Sequence, residues 1–203
     1  MSEIDNTRLN SIKSILDELN IDQSYMYHVI RFNNWQPYHN FQHLITVALK
    51  VYEGAVYYEL NFQSKRILVM AALLHDLGHS ADSDKTDIEN VMLSSNLAAE
   101  LIVDDDSFST KEMERIVTLI VGTENTRTLI SNDSLQGILN DADLMQSFEK
   151  DYERWFDGLS EETGNVVNIG TTVKFYKTKT PHTEWGYNIF ENGTKMLEGK
   201  FHD

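Results

Sequence analysis

Nine residues constrain this chain more than any others: Ala71-Ala72-Leu73-Leu74-His75-Asp76-Leu77-Gly78-His79. An apolar helical run ends abruptly in an imidazole, a carboxylate and a second imidazole. Such groups are costly to take out of water unless bonds compensate them. A metal cation would supply those bonds. His75 and Asp76 are adjacent and can both turn towards one ion if the helix ends there. His79 lies four residues past His75, within reach of the same cavity, and Gly78 breaks the helix and keeps the backbone near the site open. The plain alternative is a histidine C-cap, favourable at the negative end of the helix dipole, followed by a solvated turn.

The approach to His75 carries its own signal. Ser64 can cap a helix over Lys65 to His75, and Ile67, Leu68 and Ala71 to Leu74 leave it apolar on almost every face, which places it at the centre of a core. With 203 residues, 41% of them hydrophobic, the chain can build such a core as one domain, or one domain with an appendage. It has no cysteine. Disulfides, thiolate zinc sites and cysteine nucleophiles are therefore excluded. Any metal has to be held by histidine and carboxylate, a donor set suited to Mn, Fe, Zn, Co or Mg. The formal net charge of −15 argues against electrostatic capture of long nucleic acid or of an anionic membrane. A small phosphorylated substrate is still allowed, because bound cations dominate the local field. No run is long and apolar enough to span a bilayer, and the N-terminus has no basic region followed by an apolar stretch. The expectation is a soluble, cytoplasmic protein.

Two further stretches carry chemistry. In Tyr38-His39-Asn40-Phe41-Gln42-His43, Asn40 is a good N-cap for a helix running to about Leu60. His43 then sits in the first turn and His39 just before it. The helix dipole disfavours protonated imidazole there and favours the neutral form that binds metals; a surface histidine pair is the plain alternative. In Ile138-Leu139-Asn140-Asp141-Ala142-Asp143-Leu144, two carboxylates stand among apolar residues, entering a helix that continues towards Phe156. An N-cap role explains Asn140 or Asp141. It does not explain Asp143, on the side shared with Leu139 and Ser147, which needs a partner.

Around these stretches, amphipathic periodicity predicts helices over Asp5 to Leu19, Asp22 to Phe32 and Asp87 to Val103, with Asp5 or Asn6 and Asp87 as caps. Another starts at Ser109 or Thr110 and ends at Gly122. Asn33 to Pro37 reads as a turn, and Ser80 to Thr86 and Asp104-Asp105-Asp106 as solvated loops. After Gly158 the character changes. Residues 165–180 have a β-rich composition, which predicts an extended arm or short hairpin. Residues 181–201 are mixed.

His43, the His75-Asp76 pair and Asp143 come from three separate elements. Such elements can converge on one cation and leave coordination positions open, as a catalytic metal needs. In this set the chain resembles the HD-domain phosphohydrolase superfamily. The Tyr38-His39-Asn40-x-x-His43 string is similar to one in cyclic nucleotide phosphodiesterases, which share that fold, and Ala142-Asp143-Leu144 matches their late metal aspartate. The resemblance covers roughly residues 35–156. It implies an all-α, phosphodiesterase-like helical bundle; with the change of character at Gly158, this gives a catalytic domain over residues 1–158 and a short extended or β-like appendage over 159–203 packed on it. It also implies metal ligands His43, His75, Asp76 and Asp143, with Asp76 bridging to a second ion, hence one or two divalent metals. His39 would protonate the leaving oxygen, and His79 would line the phosphate side or orient water. The match selects Asp143 as ligand, while Asp141 offers the same chemistry two residues earlier. The chain is shorter than a phosphodiesterase catalytic domain, so a nucleotide pocket does not carry over, and the segment after Gly158 has no counterpart.

The expected function is a metal-dependent phosphohydrolase. It would cleave a small phosphoester, a nucleotide first among the candidates, with Lys85 and Arg127 available as phosphate contacts and the C-terminal arm as a homodimer contact. A di-iron oxygenase on the same fold is the first alternative. It needs further histidines, and none occurs between His79 and His182. A non-catalytic metal- or nucleotide-binding module is the second; it would have no use for a general acid at His39.

Overall fold

The helix that ends at the His75-Asp76 pair is buried along nine consecutive residues, Arg66 to Leu74. Burying a single leucine is worth about 1.5–3 kcal/mol, so a helix apolar on every face is stable only when others surround it. A computed structural model shows how this is done; it describes residues 6–32, 36–79, 85–124 and 133–201. Ten α-helices and one 3-10 turn make up the described residues, with no strand among them, so the chain is all-α as expected. They are α1 (Asn6–Glu18), α2 (Ser24–Phe32), α3 (Phe41–Tyr57), α4 (Phe62–Leu74), α5 (Asp87–Ile102), α6 (Thr110–Val121), α7 (Ser134–Asp143), the 3-10 turn Met145–Phe148, α8 (Tyr152–Thr163), α9 (Ile169–Thr178) and α10 (Glu184–Phe201). None of these helices is long and apolar enough to cross a membrane.

α3 and α4 form the central pair, with α1 and α7 against α3 and α6 against α4. The one charged residue in the buried run of α4, Arg66, is compensated: Nη1 donates to Ser107 O and Nη2 to Ser107 Oγ, both at 2.8 Å, and the guanidinium stacks 3.7 Å from the Phe108 ring.

Several helix starts differ from expectation. Asn61, not Ser64, caps α4, its side chain accepting from Ser64 N, which adds a turn to the helix. Thr86, not Asp87, caps α5 in a reciprocal box with Glu89. Ser109 caps α6 through the same box with Glu112, and Gly122 ends it, as expected. The cap expected at Asp5 lies outside the described residues, as do Asn33 to Trp35, Ser80 to Asp84 and Arg127. Asp143 is the last residue of α7, not an interior residue of a helix starting near Asn140.

The largest correction concerns the C-terminal stretch. The segment expected to be extended is helical: Asn168 caps α9 in a box with Thr171, and α10 follows. β-branched composition reports a half-buried surface more than a backbone preference. Here Thr172 and Tyr176, four apart, supply a helical buried face. Tyr176 donates its hydroxyl hydrogen bond to Leu144 O, and its ring lies 4.5 Å from Phe148 and 5.2 Å from Phe190. Trp185 of α10 is buried against Gly54 of α3.

Candidate metal centre

Asn40 builds the entry to α3 from both ends of its amide. Its Oδ1 accepts from Gln42 N at 2.9 Å and His43 N at 3.3 Å, while its Nδ2 donates to Gln36 O and Pro37 O. This fixes the turn that carries Tyr38 and His39 and places His43, wholly buried, in the first turn. α4 delivers His75 at its C-cap, where Nδ1–H donates to Ala72 O at 2.8 Å. That bond leaves Nε2 facing inward with its lone pair available, the usual way a ligand histidine is oriented. Asp76 follows at once, and α7 ends in Asp143.

These elements bring four donor atoms together. His43 Nε2 and His75 Nε2 are 3.2 Å apart, and each lies 3.2 Å from Asp76 Oδ2 and 3.2 Å from Asp143 Oδ1. All four lie within 4.8 Å of one another, so the group could hold a metal ion. The spacing fits that role: ligands at bonds of about 2.0–2.2 Å stand about 3 Å apart around an ion. The donor set, two neutral nitrogens and two carboxylates, suits a divalent cation. In the metal-free centre, burial opposes every charge, yet the two carboxylates raise His75 well above ordinary imidazole. Burial likewise works against Asp76 and Asp143, but His75 and the bonds from His43 and His75 hold both well below the usual carboxylate range.

Asp141 takes no part in this cluster. It is wholly buried, accepting from His182 N at 2.8 Å, Thr183 N at 2.9 Å and Thr183 Oγ1 at 2.6 Å, and so fastens the start of α10. Asp141 offered the same chemistry as Asp143 in the sequence; the structure gives them separate partners.

A second group adjoins the first. His39 Nδ1 donates to Glu162 Oε1 at 2.8 Å, and its Nε2 lies 3.9 Å from Asp76 Oδ2. The other oxygen of Glu162 accepts from Tyr38 N and His39 N. His79 stacks on His39 with ring centroids 3.7 Å apart and planes 15° from parallel, and its Nδ1 stands 3.6 Å from Glu162 Oε1. The donor atoms of His39, His79 and Glu162 lie within 4.8 Å of one another and form a second group that could hold an ion; with the His39 ring bonded to Glu162, the trio can also manage a proton. Burial lowers His39, but the bond to Glu162 and the charge of Asp76 outweigh it and raise its pKa; burial and the charge of His39 lower that of His79.

The structure thus brings together His39, His43, His75, Asp76, His79 and Asp143. Lys85 stands exposed just ahead of α5, where its charge acts on Glu89. Glu162 is the residue that the sequence did not single out. It sits in an acidic run of α8, and its only sequence signal is position: four residues after Gly158 on the same helical face. A Cβ at Gly158 would collide with the Pro37 carbonyl and stand 3.3 Å from Tyr38 N, so α8 meets the His39 turn backbone to backbone. Two cavities flank Leu144, next to Asp143. One, about 270 Å³, is apolar, with Tyr38, Leu159, Val167, Phe175 and Tyr176 among its walls. The other, about 180 Å³, is polar and includes Asn140, Lys179 and His182.

Residues 40–146 match the HD domain family. This stretch is more than half of the chain and holds all four donor residues; the protein belongs to the HD domain family. No curated protein matches the sequence. Among solved structures, the phosphodiesterase domain of the RhoPDE fusion protein from the choanoflagellate Salpingoeca rosetta superposes with a TM-score of 0.73 at 15% identity, over 98% of this chain and 92% of that one. The phosphodiesterase domain of Salpingoeca rosetta rhodopsin phosphodiesterase gives 0.68 at 16% identity, over 95% of this chain and 85% of that one. LmjPDEB1 in complex with IBMX gives 0.67 at 13% identity, over 97% and 85%. At these identities the likeness is one of fold. Coverage of 98% includes the helices after Gly158, so that segment has a counterpart, contrary to expectation. The chain is shorter than these domains, as expected, spanning 92% of the first and 85% of the other two.

Proposed function

We propose that this protein is a metal-dependent phosphohydrolase that cleaves a small phosphoester, a nucleotide being the first candidate. The observation that carries the reading is the juxtaposition of four converging donor atoms with a carboxylate-backed imidazole, His39, 3.9 Å from one of them. A pure binding site would need the first and not the second.

His43, His75, Asp76 and Asp143 would hold the divalent ion, one of Mn, Fe, Mg, Co or Zn, and Asp76 would share a second ion if one is bound. When bound, the metal supplies an acidified water and neutralises charge on phosphate oxygens. Everything else falls to the chain. Ala72 O fixes the His75 tautomer. Glu162 orients His39 through Nδ1 and favours its protonated form, so that Nε2–H points to the metal side, where it donates to the departing oxygen. The apolar cavity beside Tyr38 and Leu144 would take the organic part of the substrate and keep water from it.

The test is metal content and turnover on the same samples. Asp76→Ala is expected to lose metal and activity together. His39→Ala should keep its metal and lose about 100- to 10,000-fold in kcat, the range of a positioned proton donor. Full activity in His39→Ala would remove the general-acid assignment. Absence of metal from wild type, even after soaking in manganese and iron, would remove the enzyme reading.

A further inference from the structure

α5 packs directly on the loop that carries the His-Asp pair. A Cβ at Gly78 would stand 2.7 Å from Leu93 Cγ and 3.0 Å from Ser94 N, and Gly78 N–H donates to Ser94 Oγ at 3.0 Å. One turn earlier on the same helix, Asn90 is buried with its Nδ2 3.4 Å from His79 Nε2. An asparagine amide can offer either a donor or an acceptor to a ring nitrogen, and the two choices impose opposite tautomers.

The other end of the ring decides between them. His79 Nδ1 is buried, makes no hydrogen bond, and faces Glu162 Oε1 at 3.6 Å. A lone pair there would point at a carboxylate and be repelled, whereas an N–H is attracted. The proton therefore belongs on Nδ1, which makes Nε2 the acceptor and requires the N–H of Asn90 opposite it. Both ends of the imidazole agree on one tautomer.

We infer that Asn90 is a positioning residue that holds His79 in the Nδ1–H tautomer, with its proton turned to the carboxylate of Glu162 that orients His39. The chain of action runs Asn90, His79, Glu162, His39. Glu162 Oε1 then lies between two N–H groups, at 2.8 Å and 3.6 Å. In the reversed tautomer a lone pair would press on that oxygen and loosen its hold on His39. Asn90 touches no reacting atom, and its role in turnover rests on the phosphohydrolase reading above; its effect on the ring does not.

The deciding measurement is the long-range proton–nitrogen NMR spectrum of the His79 ring, in wild type and in Asn90→Asp. A carboxylate cannot donate, so this variant should move the proton to Nε2 or leave the ring doubly protonated. Wild type is expected to carry its proton on Nδ1. In the manganese-loaded proteins, with bis(p-nitrophenyl) phosphate as probe, Asn90→Asp should lower kcat about 10- to 100-fold, as outer-shell partners do. KM should change less than about twofold, with metal per chain unchanged. A wild-type proton on Nε2, or an unaltered tautomer in the variant, overturns the inference, as does a loss of turnover that only follows loss of metal. If wild type cleaves no phosphoester with any metal, the phosphohydrolase reading falls, while the ring spectra still decide what Asn90 does. The wild-type spectrum requires no variant to fold.

Discussion

At His75 one side chain serves two masters. Its Nδ1–H is committed to Ala72 O, and the carboxylates of Asp76 and Asp143, against the effect of burial, raise the affinity of the ring for a second proton. A cation entering the site competes with that proton. Calorimetric titration in two buffers of different ionisation enthalpy should therefore register proton release on metal binding, and affinity should weaken as pH falls and the proton competes better. Proton-neutral binding would contradict the arrangement. The residues of this centre were legible because each lies in a local string whose residue types are odd for a surface or a core: the His75-Asp76 pair behind an apolar helix, His43 behind the Asn40 cap, Asp143 among apolar neighbours. Glu162 was not legible. Its contact with His39 spans 123 residues, and an acidic pair on an amphipathic helix looks like a solvated face.

Among the elements, α8 meets the turn that carries His39 backbone to backbone. Gly158 lets its backbone lie against the Pro37 carbonyl, and Glu162, one turn on, reaches the N–H groups of Tyr38 and His39 because of it. Gly158→Ala forces the two backbones apart. Overpacking of this kind costs about 1–3 kcal/mol, so a fall in the unfolding midpoint is expected. Beyond that, turnover should drop while metal content stays intact, since none of the four donors is on α8. An alanine variant with unchanged kcat would show that α8 does not set His39. α9 shows the opposite lesson about reading elements. Val166, Val167, Ile169 and Val173 favour strand by type, yet the Asn168 cap and the spacing of Thr172 and Tyr176 are helical signals. Composition over a window outvoted three residues that carried the answer.

For the molecule as a whole, the first helix is tied by charge to the segment ahead of α8. Arg8 of α1 grips Asp151 through both nitrogens, at 2.9 Å and 2.7 Å, and reaches Glu149 at 3.0 Å, while Lys50 of α3 meets Glu149 at 3.1 Å. The bond from Arg8 is the first cause that lowers the Asp151 pKa. A carboxylate depressed in the folded state adds stability above its ordinary pKa and loses it as pH falls through the folded value. The stability difference between wild type and Arg8→Ala, from urea unfolding, should thus be constant above about pH 5 and shrink in more acidic solution. A difference that grew on acidification would refute the pairing. The individual helices, the central α4 and the order of the chemical strings followed from periodicity and residue type, and the all-α class from the family resemblance. The joins between distant segments, Arg8 to Asp151 and His39 to Glu162, did not, because sequence spacing carries no information about which exposed-looking charges meet.

The backbone contact at Gly158 has a consequence in time. All four metal donors precede residue 144, whereas the partner that orients His39 comes 19 residues after Asp143 (143 to 162). A chain emerging from the ribosome would present its complete donor set while the segment bearing Glu162 was still inside the exit tunnel. On the proposed function, metal loading and competence for turnover would be successive events, and stalled chains ending before and after α8 are expected to differ in turnover and not in metal.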